Sequence, residues 1–279
     1  MGKAIDAIQH VRGLVPYRAL PGLAKRRTDR LWEVEEYRLG TEEAMRFLLE
    51  HTDRAGEVPE LARAHSEYNI LHAFLRYHPR RITKQQVRGI EWLTTRRDPS
   101  RPMVLSFIHH AQFDGMFGSL RRHGVDITAL TLPWAMGQEA PKATRQHIKV
   151  VARGATLLPA EGGTQAVVEA MKPGVIMAIA SDIPGQTEVT FLNRRVRGSF
   201  GAARIAALSD APVVLVTSHR EGDGSYLQVH EPLEPRDFAD PADLLAEMLR
   251  IHGEAVLAWP EAQEMPLHRW GRIEADAGR

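Results

Sequence analysis

The stretch Val104-Leu105-Ser106-Phe107-Ile108-His109-His110-Ala111-Gln112-Phe113-Asp114-Gly115 decides how this chain reads. An apolar run of strand character carries a histidine to its carboxyl end. An acid follows five positions after His109, where a helical pattern begins. In open α/β sheets, ligand chemistry gathers outside the carboxyl ends of the strands. A histidine there can take a proton from a hydroxyl, with a carboxylate fixing its tautomer and stabilising the imidazolium. His109 with Asp114 has that form, and His110 also reaches Asp114 by separation. Asp114 reads equally as a helix N-cap, and a cap can hold a histidine as well.

Outward from this stretch, apolar β-branched runs alternate with helical segments. Candidate strands are 103–108, 127–132, 155–158, 175–180, 188–192, 212–217 and 226–230. Candidate helices are 114–122, 141–152, 164–172, 201–209 and 241–258. The alternation predicts an α/β fold, a single domain with a mixed, mainly parallel sheet flanked by helices. Glu221-Gly222-Asp223-Gly224 marks a hairpin between the last two strands. Ahead of Pro79 the pattern is helical. Turns are expected at Pro16, Pro21-Gly22 and Gly40, a helix opening at Thr41-Glu42-Glu43 in capping style, and a long amphipathic helix from Pro59 to about Tyr77. Residues 1–84 thus form an amino-terminal helical layer of the same domain, 85–271 the core and 272–279 a tail.

The 279 residues contain no cysteine, which excludes disulfides, thiolate metal sites and cysteine nucleophiles. A formal net charge of +1 gives no general electrostatic case for nucleic acid, and none is expected as a partner. No apolar run reaches the length of a membrane span, and Met1 to Asp6 begins neither a secretory signal nor a myristoylation site. The expected location is cytoplasmic, with peripheral contact at the inner face of the cell membrane. Lys25-Arg26-Arg27 lies among Leu20, Leu23, Ala24 and Leu31 and reads either as a basic amphipathic surface for anionic lipid or as a solvated helix face.

Five segments in order carry a family resemblance. Val87-Arg88-Gly89-Ile90-Glu91-Trp92-Leu93 precedes the first core strand, followed by His109-x4-Asp114 and Gly154-Ala155-Thr156-Leu157-Leu158-Pro159. Then come Met177-Ala178-Ile179-Ala180-Ser181-Asp182 and Val189-Thr190-Phe191-Leu192-Asn193 with Gly201-Ala202-Ala203-Arg204-Ile205-Ala206. The end, Trp259-Pro260-Glu261 through His268-Arg269-Trp270, fits too. Over residues 85 to 271 the chain resembles the lipid A biosynthesis and phosphatidylinositol mannoside acyltransferases, within the lysophospholipid acyltransferase-like superfamily.

The resemblance implies transfer of a fatty acyl group from an acyl-CoA or acyl-carrier-protein thioester to a hydroxyl or amine of a lipid, glycolipid, sugar or metabolite. No cofactor is needed beyond that co-substrate. His109 is selected over His110 as general base, with Asp114 as its partner and an apolar groove for the chain. The sequence departs from relatives at Leu132-Pro133-Trp134, and the arginine expected on the following helix has only Arg145, Lys149 and Arg153 as candidates. Two other outcomes stay open on the same scaffold, an acyl-chain binding protein without turnover and a thioesterase.

The remaining candidates bind substrate. Asp182 ends a strand on the predicted site face, or caps the Ile183-Pro184-Gly185 turn. Arg145 and Lys149 are candidates for the developing oxyanion. Arg194, Arg195 and Arg197, placed between a strand and a helix, would hold a phosphate or form a solvated turn. His109, His110, Asp114 and His123 lack the recurring spacing of a metal set, so no metal is expected.

Overall fold

The computed structural model describes residues 13–271, so the readings of residues 1–6 and of the 272–279 tail lie outside it. After the amino-terminal helices come β1 (Gln86–Arg88), β2 (Met103–Phe107), β3 (Ile127–Thr131), β4 (Ala155–Pro159) and β5 (Ile176–Ala180). β6 (Thr187–Phe191) and β7 (Arg194–Gly198) form a separate hairpin, and β8 (Val213–Glu221) with β9 (Gly224–Val229) returns to the main sheet. That sheet has the order β1-β9-β8-β2-β5-β3-β4. Its neighbours are parallel except for the β8–β9 hairpin, turned at the Glu221–Gly224 signal. The expected mixed, mainly parallel sheet is present.

β2 and β5 lie side by side in the middle, and every residue of both is buried. Strands covered on both faces read as continuous apolar runs, which is why these two were conspicuous in the sequence. Alternation along β2 divides the core in two. Val104 and Ile108 pack with α9 (Gly201–Ser209) and α10 (Pro241–Ala258) on one face. Leu105 and Phe107 pack with Phe113, Met116, Phe117 and Leu120 of α5 (Phe113–Arg121) on the other. His109 continues the parity of Phe107 and so belongs to the α5 face.

The helical layer comprises α1 (Leu20–Trp32), α2 (Glu35–Leu49) and α3 (Val58–Leu75), with the short α4 (Pro79–Ile82) leading to β1. Two turn expectations fail here. Pro21-Gly22 sits in the first turn of α1, where a proline has no hydrogen bond to lose. Thr41 does not open a helix, because α2 runs through Gly40 and the Thr41 hydroxyl donates to the Tyr37 carbonyl at 2.8 Å inside it. Burial of Thr41, Ala44, Met45 and Leu48 on one side outweighs the poor propensity of one glycine. α6 (Pro133–Met136) and α7 (Lys142–Val151) follow β3, α8 (Gly163–Ala170) lies between β4 and β5, and α11 (Pro266–Arg269) comes after α10.

β7 was not foreseen. The strand expected at 188–192 exists, but it pairs only with β7 through a turn at Leu192 and Asn193, both at positive φ (50° and 59°). This is the left-handed geometry of a tight hairpin, with Asn193 the residue type that suits it.

Gly154, just before β4, permits a close crossing. A Cβ built there would lie 2.1 Å from the Phe117 carbonyl carbon and 2.2 Å from the Gly118 nitrogen of α5. Backbone cannot yield as a side-chain tip can. Gly154→Ala should therefore destabilise the fold by about 2 kcal/mol or more, at the upper end of overpacking costs; an unchanged urea midpoint would contradict that packing.

Candidate active site

His109 leaves the carboxyl end of β2 and Asp182 the carboxyl end of β5, the strand hydrogen-bonded beside it. Asp182 is fully buried and accepts three hydrogen bonds. The His109 backbone N–H reaches Oδ2 at 2.8 Å, the His109 ring Nδ1 reaches Oδ1 at 2.7 Å, and Gln263 Nε2 reaches Oδ2 at 3.1 Å. Burial alone would raise this carboxyl's pKa, but His109 and, beyond it, Arg269 outweigh burial and hold it below the usual value. An ionised Asp182 requires a proton on Nδ1, which leaves Nε2 of the neutral ring as the basic nitrogen.

A late segment locks this pair. The Glu264 N–H donates to the His109 carbonyl at 2.8 Å, and the Ala111 N–H donates to the Ala262 carbonyl at 2.9 Å. Ala111, at φ 55°, makes the sharp bend between β2 and α5. His110 turns to the opposite side, as alternation requires, and donates from Nε2 to the Trp259 carbonyl at 2.9 Å.

His109 lines a groove of about 450 Å³ beneath α6 and α7, walled by Phe107, Phe113, Phe117, Leu130, Ile148 and Ile183. Its polar side carries Arg76, His147, Glu264, His268 and Arg269. A second pocket of about 770 Å³ shares Arg76, Glu264, Met265 and His268 with the groove and continues to Tyr37, Thr41, Ser66 and Asn69 of the helical layer. The Arg76–Glu264 ion pair, at 2.8 Å, stands between the two spaces.

Asp114 is not the partner of His109 in the structure. It is fully buried within the first turn of α5, with Oδ1 on His72 Nε2 at 3.0 Å and Oδ2 on Arg76 Nε at 2.6 Å. His147 Nδ1 approaches Oδ2 at 3.5 Å. Burial raises the Asp114 pKa, yet His72, Arg76 and His147 together hold it well below the ordinary value. Opposed in the same way by Arg76, His72 and Arg269, burial leaves Glu264 at about 2. The carboxylate hydrogen-bonded to the His109 ring is Asp182, not Asp114. The physical reason is the helix: Asp114 faces the end of α3, where His72 and the capping Arg76, four residues apart, occupy its oxygens.

The other expectations divide cleanly. Arg145 reaches back to the Gln138 carbonyl at 2.8 Å and Lys149 is exposed; neither lines the groove. Arg194 bonds Glu50 and the Phe47 carbonyl, Arg195 bonds Glu188, and Arg197 approaches the Gln186 carbonyl at 3.4 Å. All three lie on β7 rather than on a loop, and none lines the groove. Sequence reasoning missed His72, Arg76, His147, Gln263, Glu264 and Arg269. His72 and Arg76 did carry a signal, being polar residues set among the apolar positions of an amphipathic helix.

The sequence pattern of the bacterial lipid A biosynthesis acyltransferases matches residues 70–272. The chain belongs to this family. It is therefore an acyltransferase of lipid biosynthesis, and the groove beside His109 is the candidate site of that transfer. Among solved structures, the 1-acyl-sn-glycerophosphate (LPA) acyltransferase PlsC from Thermotoga maritima is similar at 15% identity, covering 89% of this chain and 96% of its own, with a TM-score of 0.43. Comparison with curated protein sequences gives no match.

Three histidines outside the groove make a test by pH. Burial pushes His65 and His110 down to about 4 and His252 to about 3. The unfolded chain binds these protons near pH 6.5 while the folded chain refuses them, so their contribution is whole above 6.5 and lost as pH falls toward 4. Each should steepen the loss by up to about 1.4 kcal/mol per pH unit. Urea midpoints between pH 7.5 and 4.5 measure this; a flat profile would mean the rings are charged in place.

Proposed function

We propose that this family member moves a fatty acyl group from an acyl-CoA or acyl-carrier-protein thioester to a hydroxyl of a lipid or glycolipid acceptor, with His109 as general base and Asp182 as its orienting carboxylate. The observation that carries the reading is the 2.7 Å bond between His109 Nδ1 and the buried Asp182 at the head of an apolar groove. The acceptor hydroxyl gives its proton to His109 Nε2 as its oxygen attacks the thioester carbon. Collapse of the tetrahedral adduct breaks the C–S bond, and the thiolate takes the proton back from the imidazolium. No protein nucleophile enters. The aromatic and aliphatic walls suit an alkyl chain. The hydroxyl and amide groups of the second pocket suit a polyhydroxylated head group.

The chain has no cysteine, so released thiol can be followed with Ellman's reagent without a protein background. With decanoyl-CoA and an extract of cell-envelope lipids, His109→Ala should lower turnover roughly 10²–10⁴-fold. Asp182→Asn should lower turnover on the same scale with little change in KM, since the ring loses its set tautomer. Asp114→Asn should instead lower the melting temperature, because it leaves Arg76 and His72 facing a weakened partner in a buried site. An active Asp182→Asn enzyme with an inert but stable Asp114→Asn enzyme would return the orienting role to Asp114. Mass spectrometry of the new esters names the acceptor.

Membrane contact belongs to the groove mouth in this reading. Among the described residues no helix is long and apolar enough to cross a membrane. The basic run Lys25-Arg26-Arg27 is exposed on α1, but its apolar neighbours Leu20 and Ala24 are buried in the protein. At the groove, Leu132, Trp134 and Met265 line the wall while remaining 42%, 58% and 51% exposed. A tryptophan and two flexible apolar chains at that rim suit the interfacial zone of a bilayer. Trp134→Glu should reduce co-sedimentation with phosphatidylglycerol vesicles several-fold in low and high salt alike. Reversing Lys25, Arg26 and Arg27 should remove only a salt-sensitive part. Unaltered sedimentation of Trp134→Glu would move the contact away from the rim.

A further inference from the structure

The tetrahedral adduct of this reaction carries a full negative charge on the former carbonyl oxygen, and it forms in a groove walled largely by apolar side chains. A preorganised donor is required there. Two arginines line the groove. Arg76 is committed: Nε binds Asp114 at 2.6 Å, Nη2 binds Glu264 at 2.8 Å, and its guanidinium lies 5.9 Å from the Phe113 ring centre. Arg269 is held at one corner only, by Nη2 to Glu264 at 3.0 Å. Its Nε–H is buried and meets no hydrogen-bond acceptor among the described residues.

A buried donor on a charged group with no acceptor is uncommon, and it leaves Arg269 the less committed of the two groove arginines. A partner arriving at its guanidinium must be an acceptor, and an anion best of all. Arg269 lines the same groove as His109, and its charge bears on the Asp182 carboxyl that holds the His109 ring. The loop adds rigidity. Glu264, which grips Arg269, also donates its backbone N–H to the His109 carbonyl, so base and guanidinium are tied to the same short segment.

We propose that Arg269 is a catalytic residue, its guanidinium receiving the oxyanion of the tetrahedral adduct. This rests on the reading of His109 as base. As the acceptor O–C bond forms, the carbonyl π pair moves onto oxygen facing Arg269, while the hydroxyl proton passes to His109 Nε2. When the C–S bond breaks, the oxygen returns to a carbonyl and the thiolate takes the proton from His109. Arg269 gains and loses no proton throughout.

The test compares two inert phosphopantetheine ligands bearing the same decyl chain: a thioether, which stays uncharged, and a difluoromethylene ketone, whose hydrate presents a tetrahedral carbon and an ionisable oxygen. The wild-type chain should bind the ketone at least 100-fold more tightly. Arg269→Gln should lose most of that preference while its thioether affinity stays within about threefold, a split that a merely misfolded groove would not give. Arg269→Lys, which keeps the charge but not the planar donor edge, should fall between them. Turnover of decanoyl-CoA should drop about 10²–10³-fold in Arg269→Gln with little change in KM. Equal binding of both ligands by the wild type, or an undiminished preference in Arg269→Gln, overturns the proposal. An inactive His109→Ala beside a fully active Arg269→Gln overturns this inference alone; an active His109→Ala overturns the base reading and this inference with it.

Discussion

A carboxylate buried from water must be answered by donors, and Asp182 is answered from three places at once. Its three hydrogen bonds come from the backbone and ring of His109 and from Gln263, so one side chain joins the ends of two central strands to a loop 81 residues further on. None of these contacts is replaceable by solvent at that depth. The site face of the sheet, the bend at Ala111 and the path of residues 259–264 all follow from keeping that charge satisfied.

A second, partly buried set, Asp114, Arg76, Glu264 and Arg269 with His72 and His147, does the same between the helical layer and the groove. Two acids and two arginines alternate, so the formal charge of the four sums to zero. Such sets contribute little net stability compared with apolar packing, but removing one member of a buried pair costs about 3–5 kcal/mol. Specificity of assembly is what they provide here: α3 can settle on α5 only in the register that brings His72 and Arg76 to Asp114.

The sheet was legible in the sequence because its central strands are buried on both faces and announce themselves as unbroken apolar runs. The hairpin at Glu221–Gly224 was legible from its glycines, whereas the one at Leu192–Asn193 hid behind a leucine in a conformation leucine rarely adopts. His109 was placed by its position at the carboxyl end of a strand and by family spacing. The carboxylate bonded to its ring was not foreseen, because short sequence distance stands in poorly for spatial distance across parallel strands. Asp114 is five residues away and faces a helix; Asp182 is 73 residues away and faces the ring. Gln263, Glu264 and Arg269 had no local pattern to betray them, since a loop residue gains its meaning only from what it is folded against.

The order in which these parts are made adds a consequence. Sheet strands, groove walls and both catalytic candidates from β2 and β5 leave the ribosome before Gln263, Glu264 and Arg269 do. At about 5–20 residues per second, seconds separate Asp182 from the segment that caps it. Until then the carboxylate lacks one donor, His109 lacks its backbone anchor and the groove stands open along one side. A nascent chain of this design can hold a nearly finished sheet and still be chemically silent, so that activity begins as a single late event when the last loop closes over the histidine.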